Sequence, residues 1–410
     1  MDQHRRNFLY AASASGALAL LAACSNRGTN NAPGNTQANA PSGNDSPDPK
    51  PEPATLETGN LGTLIGTGFR GKDGGLETWL GLVDLNQTPK FVTGELKPVL
   101  IPMTFFGHAV IPHPIERTRV AVFAKWGPGG CEVDLGEKRV IRDIQATPGR
   151  EFYGHGAWSK DGQTLYAVES EPRSQGAYAG YVVVRDAADM KVLGEFPTFG
   201  KMPHDCHILD EGKTLAITNG GGTGDDEEGC VTFVDIETRT LLERVPIPVY
   251  MAGHLAITGR SSKGDLAVGS TPHNPPGPDP DAFKKIPGAL TLRPSGSAAT
   301  KVGEPAAVTE NMLGETLSLA IHEELNIVGA TNPAGDICTF WDIKTGAFLN
   351  SFEMKEACGI ALTLDKRYFV VTARHKYAVQ IIRARDLALV EDASFTLSGV
   401  NGSHCLIYDL

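Results

Sequence analysis

The chain has 410 residues, a formal charge of −11, 47 glycines and 27 prolines. That length admits one large domain or two ordinary ones. A net acidic chain without a basic run argues against nucleic acid as a partner. Short strand-like runs between so many turn residues point to an all-β design.

At the N-terminal end, Arg5-Arg6-Asn7-Phe8-Leu9 precedes an apolar, alanine-rich run from Tyr10 to Ala23 that is short for a membrane span. A twin arginine before a weakly hydrophobic segment is similar to a Tat signal, which exports folded proteins. Leu21-Ala22-Ala23-Cys24 resembles a bacterial lipobox, with Cys24 as the lipidated first residue of the mature chain. A plain Tat signal with a chance cysteine is the alternative. Residues 1–24 are therefore expected to be a signal. Residues 25–60, rich in Asn, Pro, Gly, Ser and Asp, read as a disordered tether. The expected location is the periplasm, with Cys24 tethering the protein to the membrane.

Residues 61–410 carry a repeat. Its clearest copy is Gly154-His155-Gly156-Ala157-Trp158, followed by a Lys160-Asp161-Gly162 turn and a second strand. Related segments start at Phe106, Pro203, Gly253, Ser318, Cys358 and Ser403. A second marker, an apolar strand ending in Asp, recurs at Asp84, Asp134, Asp186, Asp235, Asp342 and Asp386, with a degenerate copy at Ala289–Leu292. A period near 50 residues with four short strands per unit predicts a β-propeller of seven blades. Outer strands open the series and an inner strand, Ser403–Tyr408, ends it. The two ends should therefore pair within one blade and leave no open sheet edge. Two long loops stand out, Gly220–Gly229 with its acidic run and the proline-rich Thr271–Pro287.

Inner strands of a propeller line its axis, so matching positions converge. In ring order these are His404, His108, His155, His204 and His254, then Glu315–Ser318, then Cys358. Imidazole and thiolate are donors for iron, copper and zinc. The plainer reading is that each histidine bonds to backbone within its own blade. Five near one axis favour a shared ligand, because buried imidazoles are costly as pure structure. His207 competes with His204, since the latter is offset by one residue. His113, His322 and His375 fall near turns and read as packing or surface residues. Six cysteines follow Cys24, and their pairing is open; Cys206 and Cys405 read as bridged or buried thiols, and a Cys358–Cys405 bridge is one option. No phosphate-binding glycine loop, nucleophile elbow or haem-attachment motif is present.

The order of Gly149-Arg150-Glu151-Phe152-Tyr153-Gly154-His155-Gly156, Gly194-Glu195-Phe196-Pro197, Met202-Pro203-His204, Thr218-Asn219-Gly220-Gly221, His254-Leu255-Ala256 and Ala357-Cys358-Gly359-Ile360-Ala361 resembles a family of Tat-exported periplasmic propellers carrying a domain of unknown function. Its genes often stand beside those of imelysin-type lipoproteins and di-haem peroxidase-like proteins linked to iron uptake. The resemblance spans about Gly62 to Leu410 and implies a seven-bladed fold in a metal-acquisition setting, without an assigned activity. This chain departs from the family at Cys24 and in its degenerate fifth blade.

The expected function is binding of a transition metal ion (iron or copper, with zinc possible) for acquisition or delivery. His108, His155, His204, His254 and His404 would be ligands or orienting groups, with Cys358 as a soft ligand. The expected partners are periplasmic metal-uptake proteins, and the expected state is a monomer. A metal-dependent oxidoreductase and a protein-docking scaffold with structural histidines are the alternatives.

Overall fold

A computed structural model describes residues 54–72, 75–172, 178–221, 228–248, 250–275, 277–396 and 399–410. The signal with Cys24, most of the tether and Asp225, Asp226 and Glu227 of the acidic loop lie outside the described residues. One compact body comprises Pro53–Arg70 and Glu77–Leu410; the described residues 71, 72, 75 and 76 cluster separately. No helix among the described residues is long and apolar enough to cross a membrane.

The body is all-β. Among the described residues its strands fall into seven antiparallel modules, each built on four strands in succession. The first runs Cys405–Tyr408, Thr63–Lys72, Gly75–Asp84 and Val99–Met103. The other six begin with the inner strands Gly107–Pro112, Glu151–Trp158, Pro203–Leu209, Tyr250–Ile257, Ser318–His322 and Ala357–Leu362. The expected joining of the two ends is present: Thr63 pairs with Tyr408 and Gly66 with Cys405. Consecutive inner strands touch in order from the first module to the seventh, and Ala357–Leu362 touches Cys405–Tyr408. The second and third modules are further joined where Lys125 pairs with Tyr153.

Alternation explains the cores. Residues of one face pack on the next module, as where Val168, Val182 and Val184 meet Cys206, Leu215 and Ile217. The recurring Asp has a local cause: it caps the turn that follows an outer strand. Asp134 accepts the Glu137 amide, Asp235 that of Thr238, and Asp342 those of Lys344 and Thr345. Such side-chain turns favour Asp for its short acceptor. The degenerate copy is a regular strand, Ala289–Arg293, paired residue for residue with Leu266–Ser270.

Packing starts ahead of Leu61, where composition alone places the start of the body. Ala54 is buried with Val370 and Tyr368, and the Glu57 amide donates to the Tyr368 hydroxyl at 2.8 Å. Arg367 also binds the Thr58 carbonyl at 2.7 Å. These anchors come from the seventh module, so local composition does not reveal them.

Threonines on second strands clip neighbouring modules together. Thr218 accepts the Asp205 amide at 2.8 Å and donates to the Gly253 carbonyl at 2.5 Å. Thr331 does the same between the Ser318 amide and the Cys358 carbonyl. Thr218→Val should strand two buried backbone groups, at about 1–3 kcal/mol each. The expected result is a lower urea midpoint for Thr218→Val, largely restored in Thr218→Ser; equal midpoints for valine and wild type would remove the clip's role.

Candidate metal centre

The histidines reach one point because their strands are bulged. Register slips between Gly107 and Ala109, Phe152 and Gly156, Pro203 and Cys206, Ala252 and His254, and Ala357 and Ile360. A bulge inserts an extra residue and re-aims the side chain beside it. His108, His155 and His204 fall within such slips, and His254 closes one. Ser318–His322, an inner strand without a histidine at this level, pairs in unbroken register with Ile327–Thr331, whereas Ala357–Leu362 is bulged around Cys358.

The Gly-His pairing also has a steric cause at one position. Gly154 has φ of +100°, and a Cβ there would stand 2.4 Å from the His108 ring. Glycine therefore permits the neighbouring imidazole to enter.

One ligand atom from each of His108, His155, His204 and His254 lies within 4.8 Å of the others, and this group can hold a metal ion. His108 Nε2 is 3.3 Å from His204 Nε2, which is 2.7 Å from His254 Nε2. His404 Nε2 lies 3.1 Å from His108 Nε2, so the fifth imidazole adjoins the group. Nitrogens bound tetrahedrally at about 2.0–2.1 Å from a metal stand roughly 3.3 Å apart. The observed spacings approach that edge.

The outer nitrogens set the tautomers. His204 Nδ1 donates to the Tyr153 carbonyl at 2.8 Å, leaving a lone pair at Nε2 that faces two other Nε2 atoms. His155 Nδ1 lies 3.0 Å from Asp205 Oδ1, while its Nε2 is buried without a hydrogen-bond partner. His404 Nδ1 pairs with Ser318 Oγ at 2.6 Å. His108 Nδ1 and His254 Nδ1 also lack partners. Inward lone pairs with the other ring nitrogen held by a carbonyl or carboxylate form the arrangement that orients histidine ligands. The donor set fits a metal ion.

Burial is the main cause that holds His108, His204, His254 and His404 well below the usual imidazole value. Repulsion from neighbouring rings adds to it, as does Lys125 at His108, His204 and His404. They are neutral, as ligands must be. Burial pushes the Asp205 carboxyl up, but His207 and His155 together hold it well below the ordinary range. Asp205 also accepts the Cys206 and Leu255 amides.

His204, rather than His207, stands in the group; the half-exposed His207 lies 3.2 Å from the far oxygen of Asp205. Cys358 stands outside it. Its thiol donates to the Glu356 carbonyl at 3.2 Å, and burial raises its pKa, away from the thiolate that binds metal. The six described cysteines form no disulfide. His113 is a packing residue that accepts the Glu116 amide and donates to the Gly162 carbonyl.

Sequence reasoning did not single out Asp205, although it lies between His204 and His207. Regular alternation would turn it away from the histidines, and only the bulge brings it under His155. Ser318 and Glu315 were placed near the ring without roles.

Comparison with curated proteins gives no match. Among solved structures the chain is similar to Kuenenia stuttgartiensis Hydrazine Synthase, with a TM-score of 0.58 and 14% identity over 82% of this chain and 99% of that one. At that identity the likeness concerns the fold alone. A family model described as "Protein of unknown function (DUF1513)" matches residues 101–245 and 254–395, a span that includes His108, His155, His204 and His254 but not His404. The chain belongs to this family of unknown function.

Proposed function

We propose that the seven modules are the blades of a seven-bladed propeller whose hub binds a transition metal ion through His108, His155, His204, His254 and His404. The observation that carries this reading is the His204 lone pair, fixed inward by the Tyr153 carbonyl and facing two further Nε2 atoms. A purely structural histidine has no need of that convergence, and imidazoles crowded into one buried space leave several nitrogens unsatisfied.

Iron or copper is the proposed metal, with zinc as a further candidate. The twin arginine and lipobox-like Cys24 support a protein exported by the Tat route and held at the periplasmic membrane surface. Tat export suits a site filled before translocation. The role is acquisition or delivery of the metal as a monomer working with periplasmic metal-uptake proteins.

Elemental analysis of the full-length chain, purified without a histidine tag, tests the reading. About one equivalent of metal is expected, and it should be lost in a folded His108→Ala/His155→Ala variant. No metal in either protein after incubation with ferrous iron, copper or zinc would leave a docking scaffold with structural histidines as the better account.

A further inference from the structure

The sixth module brings no imidazole to the hub, yet it reaches the site by two other side chains. Ser318 binds His404, and Glu315, just ahead of the same strand, extends over the fifth module. Its Oε1 lies 4.0 Å from His254 Nδ1, one of the nitrogens without a hydrogen-bond partner. Gly253, next to His254, lies in ordinary contact range of that oxygen, which a Cβ there would meet at 3.8 Å. The same oxygen is 3.4 Å from Lys125 Nζ, on the second strand of the second module. Both side chains are partly exposed, at 17% for Lys125 and 26% for Glu315. A loose pair of this kind contributes little stability and opens readily.

Charge gives the arrangement a purpose. Neutral histidines would leave the two positive charges of a divalent ion uncompensated in a buried site. Asp205 provides one negative charge through His155. Glu315 is the second carboxylate beside the histidines, and Lys125 is the cation that now occupies it. Resting on the hub reading above, we infer that Glu315 is the anionic positioning residue of the hub: when a divalent metal ion takes His254 Nε2, the carboxylate leaves Lys125 and accepts a hydrogen bond from His254 Nδ1–H. A carboxylate beside the imidazoles offsets the charge of divalent ferrous iron more than that of monovalent cuprous copper, which also favours sulfur donors. Cys358 does not offer one here, because its thiol is turned to a carbonyl.

The exchange predicts opposite effects at its two ends. Affinities of the full-length chain for ferrous iron without oxygen, and for cuprous ion, would be measured by competition with chromophoric chelators. Glu315→Gln is expected to weaken ferrous binding about 10–100-fold and leave cuprous binding within about twofold. Lys125→Met, which removes the competitor, is expected to tighten ferrous binding. A pair with only a structural role would shift stability in both variants and affinity in neither. Unchanged ferrous affinity in both variants, with the wild type still binding, overturns the Glu315 assignment and leaves the hub intact. If the wild type binds neither ion, both readings fall. Should Glu315→Gln not fold, the sign of the Lys125→Met effect decides: tighter supports the exchange, and unchanged or weaker overturns it.

Discussion

His204→Ala is expected to lower metal affinity by at least about 100-fold, more than any other single change at the hub. Its Nε2 faces two further Nε2 atoms, at 3.3 and 2.7 Å, the second being the shortest spacing in the group. Its Nδ1 is fixed by the Tyr153 carbonyl, so no other tautomer presents a lone pair inward. Alanine removes the donor and leaves that buried carbonyl without its imidazole partner, so some stability should be lost as well. His204→Asn is the control for packing, since its amide is shorter and a poor metal ligand. The measurement is competitive titration of ferrous, cupric and zinc ions, with circular dichroism to establish folding. Wild-type affinity in a folded His204→Ala protein would falsify the hub assignment.

Acid should destabilise the metal-free protein steeply. Unfolded imidazoles take up protons as the pH falls through about 6.5. In the folded hub His108, His204, His254 and His404 resist protonation until far lower, chiefly because they are buried. Below 6.5 the unfolded chain therefore binds more protons, and stability rises with pH. The loss on acidification is about 1.4 kcal/mol per pH unit for each such histidine once its unfolded form is charged. Four of them set a ceiling near roughly 5–6 kcal/mol per unit until the folded groups begin to titrate. Asp205, held low, acts in the same direction but only near the ordinary carboxylate range. Guanidinium midpoints at pH 7.5 and 5.5, with a chelator present, test this. The drop should shrink in a folded His254→Phe protein, which has one imidazole fewer. Equal wild-type midpoints at the two pH values would contradict the buried neutral cluster.

Much of the architecture was legible because its signals are local. Asp235 and Asp342 cap turns whose chemistry selects aspartate, and the apolar run Leu215-Ala216-Ile217 marks a buried strand without reference to its neighbours. The order of inner and outer strands likewise led to the pairing of Thr63 with Tyr408. The histidines were legible as a set, since they recur at one place in the repeat.

What escaped depends on geometry that alternation does not encode. Asp205 reaches His155 only because register slips between Pro203 and Cys206. Glu315 precedes a strand that carries no histidine at the hub, so the repeat gave it no weight. Cys358 occupies a hub-strand position, but its thiol turns to the Glu356 carbonyl instead of the ring. Ala54 and Glu57 read as tether because their partners, Tyr368 and Arg367, lie some three hundred residues away. Except at Cys358, whose deciding contact is two residues away, the contacts that decide are non-local.

The pairing of Cys405–Tyr408 with Thr63–Gly66 also governs when the centre can exist. His404 adjoins that strand and is made 296 residues after His108, its partner across 3.1 Å. During synthesis the first module must wait with an uncovered edge while six others are made, and such long-range pairing is slow. The fifth imidazole arrives with the strand that closes that edge. A nascent chain stalled after the seventh module would therefore present an incomplete cage as well as an open sheet. Metal retention would then distinguish finished molecules from unfinished ones.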